Sequence, residues 1–166
     1  VNLKQTSTPV RLEYKTVYIR SSRPSDISDV GDNLRSMDKL ECLLHSGVSP
    51  REAIRNGMET DYHTWTICSN NTKKPLACFG IGPVQPEHTN YIWLLCTEDL
   101  ITETGREFAV ASREWVKHLV NRFKLPCVNE VYSKNTTAIR WLKWCDAVIE
   151  EPNEKDFSLF IIYPNK

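Results

Sequence analysis

A chain of 166 residues, 40% hydrophobic and 25% charged, has the make-up of one folded domain long enough to bury roughly two-thirds of its unfolded surface. With 21 basic and 21 acidic residues its formal net charge is zero, which removes the field that draws a protein to a polyanion and excludes nucleic acid as a first partner. No apolar run approaches a membrane-spanning length and the N-terminal stretch lacks the apolar core of a signal peptide, so no membrane or secretory segment is expected and the location expected is cytoplasmic. Six cysteines without a C-x-x-C pair read as reduced, buried small hydrophobes. Four histidines without metal-ligand spacing give a metal site no support.

After a loose lead-in over 1–11, alternation near Thr16 to Arg20 suits a first strand. Ser25 or Asp26 then offers a cap for a helix from Ile27 towards His45, with Val30, Leu34, Met37, Leu40, Leu43 and Leu44 as its apolar positions, a weak point at Gly31 and a stop at Gly47. Ser49, Pro50 and Glu52 carry a capping box for a second helix closing near Gly57. Three strands follow, Thr64 to Ser69, Pro75 to Gly82 and Tyr91 to Cys96, the last two joined by a turn over Gln85 to Asn90.

The strongest helical pattern runs from Glu103 to Phe123, with Phe108, Ala111, Trp115, Val116, Leu119, Val120 and Phe123 on one face and Pro126 beyond its end. Thr104 and Glu107 have the spacing of a capping box for its start. A short strand around Val128, Val131 and Tyr132 leads to Asn135, an N-cap for a helix whose face is Ala138, Ile139, Leu142 and Cys145. Asp146 tolerates the left-handed conformation at that helix's end, and strands at Ala147 to Ile149 and Phe157 to Tyr163 complete the chain. The order βααβββαβαββ predicts a single α+β domain over 1–166, with a mixed, mostly antiparallel sheet and helices on both faces.

This order, together with Asn135-x-x-Ala138-Ile139-x-x-Leu142-x-x-x-Asp146-Ala147, resembles the GNAT superfamily of N-acetyltransferases, whose late motif is N-x-x-A-I-x-x-Y/L-x-x-x-G-F. More narrowly, Pro75-Leu76-Ala77, the strand around Trp93 and the Asn135 to Glu151 run resemble the GNAT-like internal virion protein of short-tailed bacteriophages. The superfamily resemblance implies acetyl-coenzyme A as donor, bound between the strands at Tyr91 to Cys96 and Val128 to Tyr132, and an amine-bearing acceptor. The phage resemblance adds a host protein as a candidate acceptor, the host cytoplasm and the virion as locations, and a second class of function: a catalytically degenerate GNAT-fold protein acting in virion assembly or by binding a host protein. Either a monomer or a homodimer is compatible.

The resemblance places the donor's carbonyl on the backbone of Leu94, Leu95 and Cys96, with Thr97 a further cofactor contact, its pyrophosphate at Gly105, Arg106 and Glu107, and its pantetheine arm near Asn135, Ala138 and Trp141. The family's pyrophosphate loop reads Q/R-x-x-G-x-G/A, whereas this chain has Thr102 and Glu107 in place of the first and last of those residues. Its usual tyrosine acid is replaced by Leu142, which leaves Glu98 as the candidate base and Tyr132 as the candidate proton donor, with Asp99 and His88 as alternatives. For Glu98, Asp99 and His88 a solvated turn is the competing reading, and for Asn135 it is a plain helix cap.

Overall fold

A computed structural model describes residues 12–84 and 88–165. The lead-in 1–11, the final Lys166 and residues 85–87 of the expected turn lie outside the described residues. The elements in chain order are β1 (Leu12–Glu13), β2 (Val17–Ser21), α1 (Asp26–Gly31), α2 (Ser36–Ser46), α3 (Pro50–Thr60), β3 (His63–Ser69), β4 (Pro75–Pro83), β5 (Asn90–Cys96), α4 (Glu98–Phe123), β6 (Cys127–Tyr132), α5 (Thr136–Trp144), β7 (Val148–Ile149) and β8 (Phe157–Ile162). Hydrogen bonding orders the strands β1-β2-β3-β4-β5-β6-β8-β7. The registers β1/β2, β2/β3, β3/β4, β6/β8 and β7/β8 are antiparallel, and β5/β6 is parallel. The expected mixed, mostly antiparallel sheet with helices is therefore what forms, with one short strand, β1, added at its edge. None of the helices among the described residues is long and apolar enough to cross a membrane.

The chain divides into two compact units: the described residues 12–82 with Trp93–Glu107, and the described part of Pro83–Ile92 with Phe108–Lys166. In the first unit Val30, Leu34, Ile54 and Cys78 form a buried apolar cluster, and Ile27, Met58, Trp93 and Leu95 pack against it. The capping box of α3 forms as its sequence dictates: Glu52 N donates to Ser49 Oγ at 3.2 Å, and Ser49 N donates to Glu52 Oε2 at 2.8 Å. The helix does not close at Gly57 but continues to Thr60, because Gly57 serves a packing need: a Cβ there would lie 2.3 Å from the Trp93 ring.

The long first helix expected from Ile27 to His45 is broken into α1 and α2, and the break lies past Gly31, at 32–35. Long-range bonds cause it. Leu34 forms a bridge with Thr97, and Arg35 N donates to Cys96 O at 3.0 Å. The helical phase restarts after the break with Asp38 and Cys42 buried, so Leu40, Leu43 and Leu44 are exposed rather than on a core stripe. Gly47 ends α2 in the left-handed region, φ 66°, as expected. Ser25 makes no side-chain cap, and the Asp26 carboxylate is taken by Arg20, Arg23 N and Thr66.

In the second unit Val116, Leu119 and Val120 of α4 are buried, as are Val131, Leu142, Cys145, Phe157 and Phe160. Asp146, at φ 62°, ends α5 in the left-handed conformation foreseen for it. All six cysteines are free and buried.

Candidate functional site

In the first unit, the end of β5 is tied down by side chains from α2 and its approach. Cys96 N donates to Asp38 Oδ2 at 2.9 Å, while Arg35 N donates to Cys96 O at 3.0 Å and Arg35 Nη1 lies 3.4 Å from Asp38 Oδ1. Burial pushes the Asp38 carboxyl above its ordinary range despite the Cys96 amide and Arg35, and burial likewise drives the Cys96 thiol up to about 12. Thr97 gives both its amide and its hydroxyl to Leu76 O, each at 2.9 Å. Of the backbone donors expected to meet a thioester carbonyl, that of Cys96 is thus engaged within the fold, as is the amide of Thr97, the further expected cofactor contact.

The helix after β5 begins at Glu98, five residues earlier than its periodicity indicates, and Gly105 interrupts it at φ 44°, ψ −118°. No L side chain adopts that conformation without strain, and a Cβ on Gly105 would meet nothing within 4 Å, so the position is open. The expected capping box at Thr104 and Glu107 does not form. The Thr104 hydroxyl donates back to Leu100 O within the preceding turn, and Glu107 accepts from Thr16 N at 3.2 Å and Thr16 Oγ1 at 2.7 Å. Arg106 is exposed beside Gly105, as is Glu103 on the other side.

The candidate proton carriers fall in different units. Glu98 is exposed in the first turn of α4, and Asp99 and His88 are exposed as well, which matches their solvated reading. Tyr132 belongs to the second unit, is only 8% exposed, and sits tilted against Phe157 with ring centres 5.4 Å apart.

In the second unit the parallel pairing of β5 with β6 covers Asn90 against Cys127 and Tyr91 against Val128. Beside the last pair a side chain substitutes for backbone: Asn129 Nδ2 donates to Ile92 O at 2.9 Å, and Asn129 Oδ1 accepts from Glu130 N at 2.7 Å. Sequence reasoning passed over Asn129. Its signal was an asparagine, a poor strand former, in the middle of a β-leaning run.

Asn135 is 2% exposed, and its Oδ1 accepts from Ala138 N at 3.2 Å, so it is the N-cap its position predicts and the Ala138 amide is the one it satisfies. Asn135→Ala is expected to lower unfolding free energy by about 1 kcal/mol, read from urea denaturation. Trp141 donates from Nε1 to Ser112 Oγ at 2.8 Å and stacks on Phe108 at 6.1 Å, which makes it a fastening of α5 to α4.

No protein-family model and no curated protein sequence matches the chain. Solved structures do. The GNAT-family acetyltransferase from Bacillus anthracis aligns at TM-score 0.64 and 12% identity, over 93% of this chain and 98% of its own. The ribosomal-protein-S5-alanine acetyltransferase from Vibrio fischeri gives the same TM-score and identity, over 95% and 98%. The ribosomal L7/L12 α-N-protein acetyltransferase RimL, solved with coenzyme A, aligns at TM-score 0.63 and 10% identity, over 93% and 98%. The chain has the GNAT fold. At these identities the likeness is one of fold, and these structures do not support the narrower resemblance to a phage virion protein. Asn129 stands where the backbone pairing of β5 with β6 ends.

Proposed function

We propose that this chain binds acetyl-coenzyme A and transfers its acetyl group to a primary amine. The observation that carries the reading is the GNAT fold, joined in the first unit by an open backbone position at Gly105 with the exposed cation of Arg106 beside it, in the helix that follows β5. The coenzyme supplies an activated acetyl carbonyl, and this chain's residues must hold it and receive the amine.

The residues fit that group in part. Open space at Gly105 admits a pyrophosphate to the backbone, and exposed Arg106 supplies a cation that can pair with it. The Cys96 and Thr97 amides are engaged within the fold, so a backbone donor for the carbonyl has to come from elsewhere on β5. Asn135, Ala138 and Trp141 support the helix beside the arm rather than reach for it.

Calorimetric titration with acetyl-coenzyme A is expected to show saturable binding, and Arg106→Ala is expected to weaken it about tenfold, the loss of one charge-assisted contact. No binding by the folded protein at millimolar ligand would sink the reading. That result selects the second one, a catalytically degenerate GNAT-fold protein that acts in phage virion assembly or on a host protein. Two observations favour it: the carboxylates of Glu103 and Glu107 flank Gly105 in sequence, and Asp38 already occupies the Cys96 amide.

A further inference from the structure

Asp61, at the turn from α3 into β3, is a half-buried carboxylate with a place cut for it by other residues. Trp93 Nε1 donates to its Oδ2 at 2.6 Å. A Cβ on Gly80 would lie 2.3 Å from Oδ2, and one on Gly82 would lie 2.4 Å from Oδ1, so β4 carries glycine at both positions that the carboxylate overlies. Gly57 of α3 leaves room for the Trp93 ring in the same way. Three glycines and a tryptophan from three elements thus frame one acid.

What this acid lacks is a cation. Among the described residues it has no ion-pair partner, and the only other polar contact is Thr60 Oγ1 at 3.5 Å from Oδ1, a hydroxyl that already donates to Asn56 O at 2.8 Å. Among the described residues no charge acts on it, and burial pushes its carboxyl up to about 6 against the pull of Trp93 and Thr60. A hydrogen bond to the indole could be met by a neutral amide or a backbone carbonyl at lower cost, so a hydrogen-bond role alone does not explain a carboxylate here.

Its place on the sheet suggests what completes it. Trp93 and Leu95 are two apart on β5 and both pack against the cluster of Val30, Leu34, Ile54 and Cys78, so they share a face, about 7 Å apart along the strand. Both lie on β5, the strand to which the acetyl-transfer reading assigns the donor.

The geometry points to Asp61 as the acceptor site: its Oδ1, held only by the long Thr60 contact, binds the ammonium group of the amine to be acetylated and receives a proton from it. This rests on the acetyl-transfer reading. The proton passes from nitrogen to the carboxylate, leaving a neutral amine and a carboxylic acid. The amine's lone pair forms the C–N bond as the C–S bond of the thioester breaks, and the departing thiolate takes up the second proton released from nitrogen. Glu98, exposed on α4, is then not needed as the base.

The Trp93 indole proton, which touches Asp61, reports the site directly. In 1H–15N spectra of the full chain that resonance, assigned by its loss in Trp93→Phe, is expected to titrate with a midpoint near 6 and to show the midpoint fall by at least one unit in saturating n-butylammonium, with no change in n-butanol. Asp61→Asn keeps an acceptor for the indole and is expected to abolish both the titration and the ammonium response. A midpoint that n-butylammonium leaves in place, or an ammonium shift that persists in Asp61→Asn, would overturn the assignment. Acetyl-coenzyme A titrated into the same samples tests the underlying reading separately, since absent coenzyme binding with an intact ammonium response condemns acetyl transfer and not the carboxylate site.

Discussion

Replacing Asp26 with alanine is expected to cost about 3–5 kcal/mol of folding stability, the penalty of stranding one partner of a buried ion pair. The Asp26 side chain is 0% exposed and Arg20 14%. Arg20 Nη1 and Nη2 each donate to it at 2.8 Å, Arg23 N at 2.7 Å and Thr66 Oγ1 at 2.7 Å, so both oxygens are filled by a bidentate fork, a backbone amide and a hydroxyl. Burial alone would push this carboxyl up, but the bonds from Arg20, Arg23 and Thr66 together outweigh it and hold the acid below its ordinary 3.8. A depressed folded value means that the stabilisation is present at neutral pH and is lost as pH falls below that ordinary value. Urea denaturation at pH 7 should show the midpoint of Asp26→Ala fall with an unchanged slope. The double variant Arg20→Met, Asp26→Leu should recover most of the loss, because no charge is then left unpaired. A cost below about 1 kcal/mol for the single variant would show that the pair does not secure β2 to α1 and β3.

Asp26 also shows where sequence reasoning stops. As a residue just before a helical pattern it read as a cap, and local chemistry gave no sign that Thr66, forty positions later, would share it. Signals whose partners are near in the chain were legible: the Ser49 capping box, the Asn135 cap, the left-handed Gly47 and Asp146. Each joins groups three or four residues apart, and each formed. Signals decided at long range were not. The break between α1 and α2 depends on Thr97 and Cys96, and Thr104 and Glu107 had the spacing of a capping box until Thr16, 91 residues away, claimed the glutamate.

The candidate site divides along the same line. Gly105 was singled out by the family resemblance, inside the helical pattern that starts at Glu103, and its φ of 44° shows a backbone position that needs glycine. The engaged amide of Cys96 was not, because its acceptor Asp38 lies 58 residues earlier on a helix whose phase the break had reset. Asp61 gave no signal beyond an acid at a turn, and only the approach of Gly80, Gly82 and Trp93 sets it apart.

Asp61→Asn is expected to make the protein more stable at neutral pH, by about 2 kcal/mol. The folded carboxyl stands near 6 against an ordinary 3.8, raised by burial, and two pKa units correspond to about 3 kcal/mol before the partial solvent exposure of the group reduces it. Because the folded value is raised, the protonated acid suits the fold: its stability is fully present below the ordinary value and is lost as pH climbs through about 6. Asparagine keeps an oxygen for Trp93 Nε1 and never ionises, so the loss is avoided. Thermal unfolding at pH 7 to 8 should give a midpoint roughly 4–8 °C above the parent chain, shrinking to nothing well below the ordinary 3.8, where the side chain is neutral in both the folded and the unfolded chain. Equal midpoints at pH 8 would mean that the carboxylate is not penalised by its surroundings. A gain in stability joined to a loss of the ammonium response would place this residue among those kept for what they bind rather than for how they pack, since a purely structural acid has no reason to be one that its own fold disfavours at neutral pH.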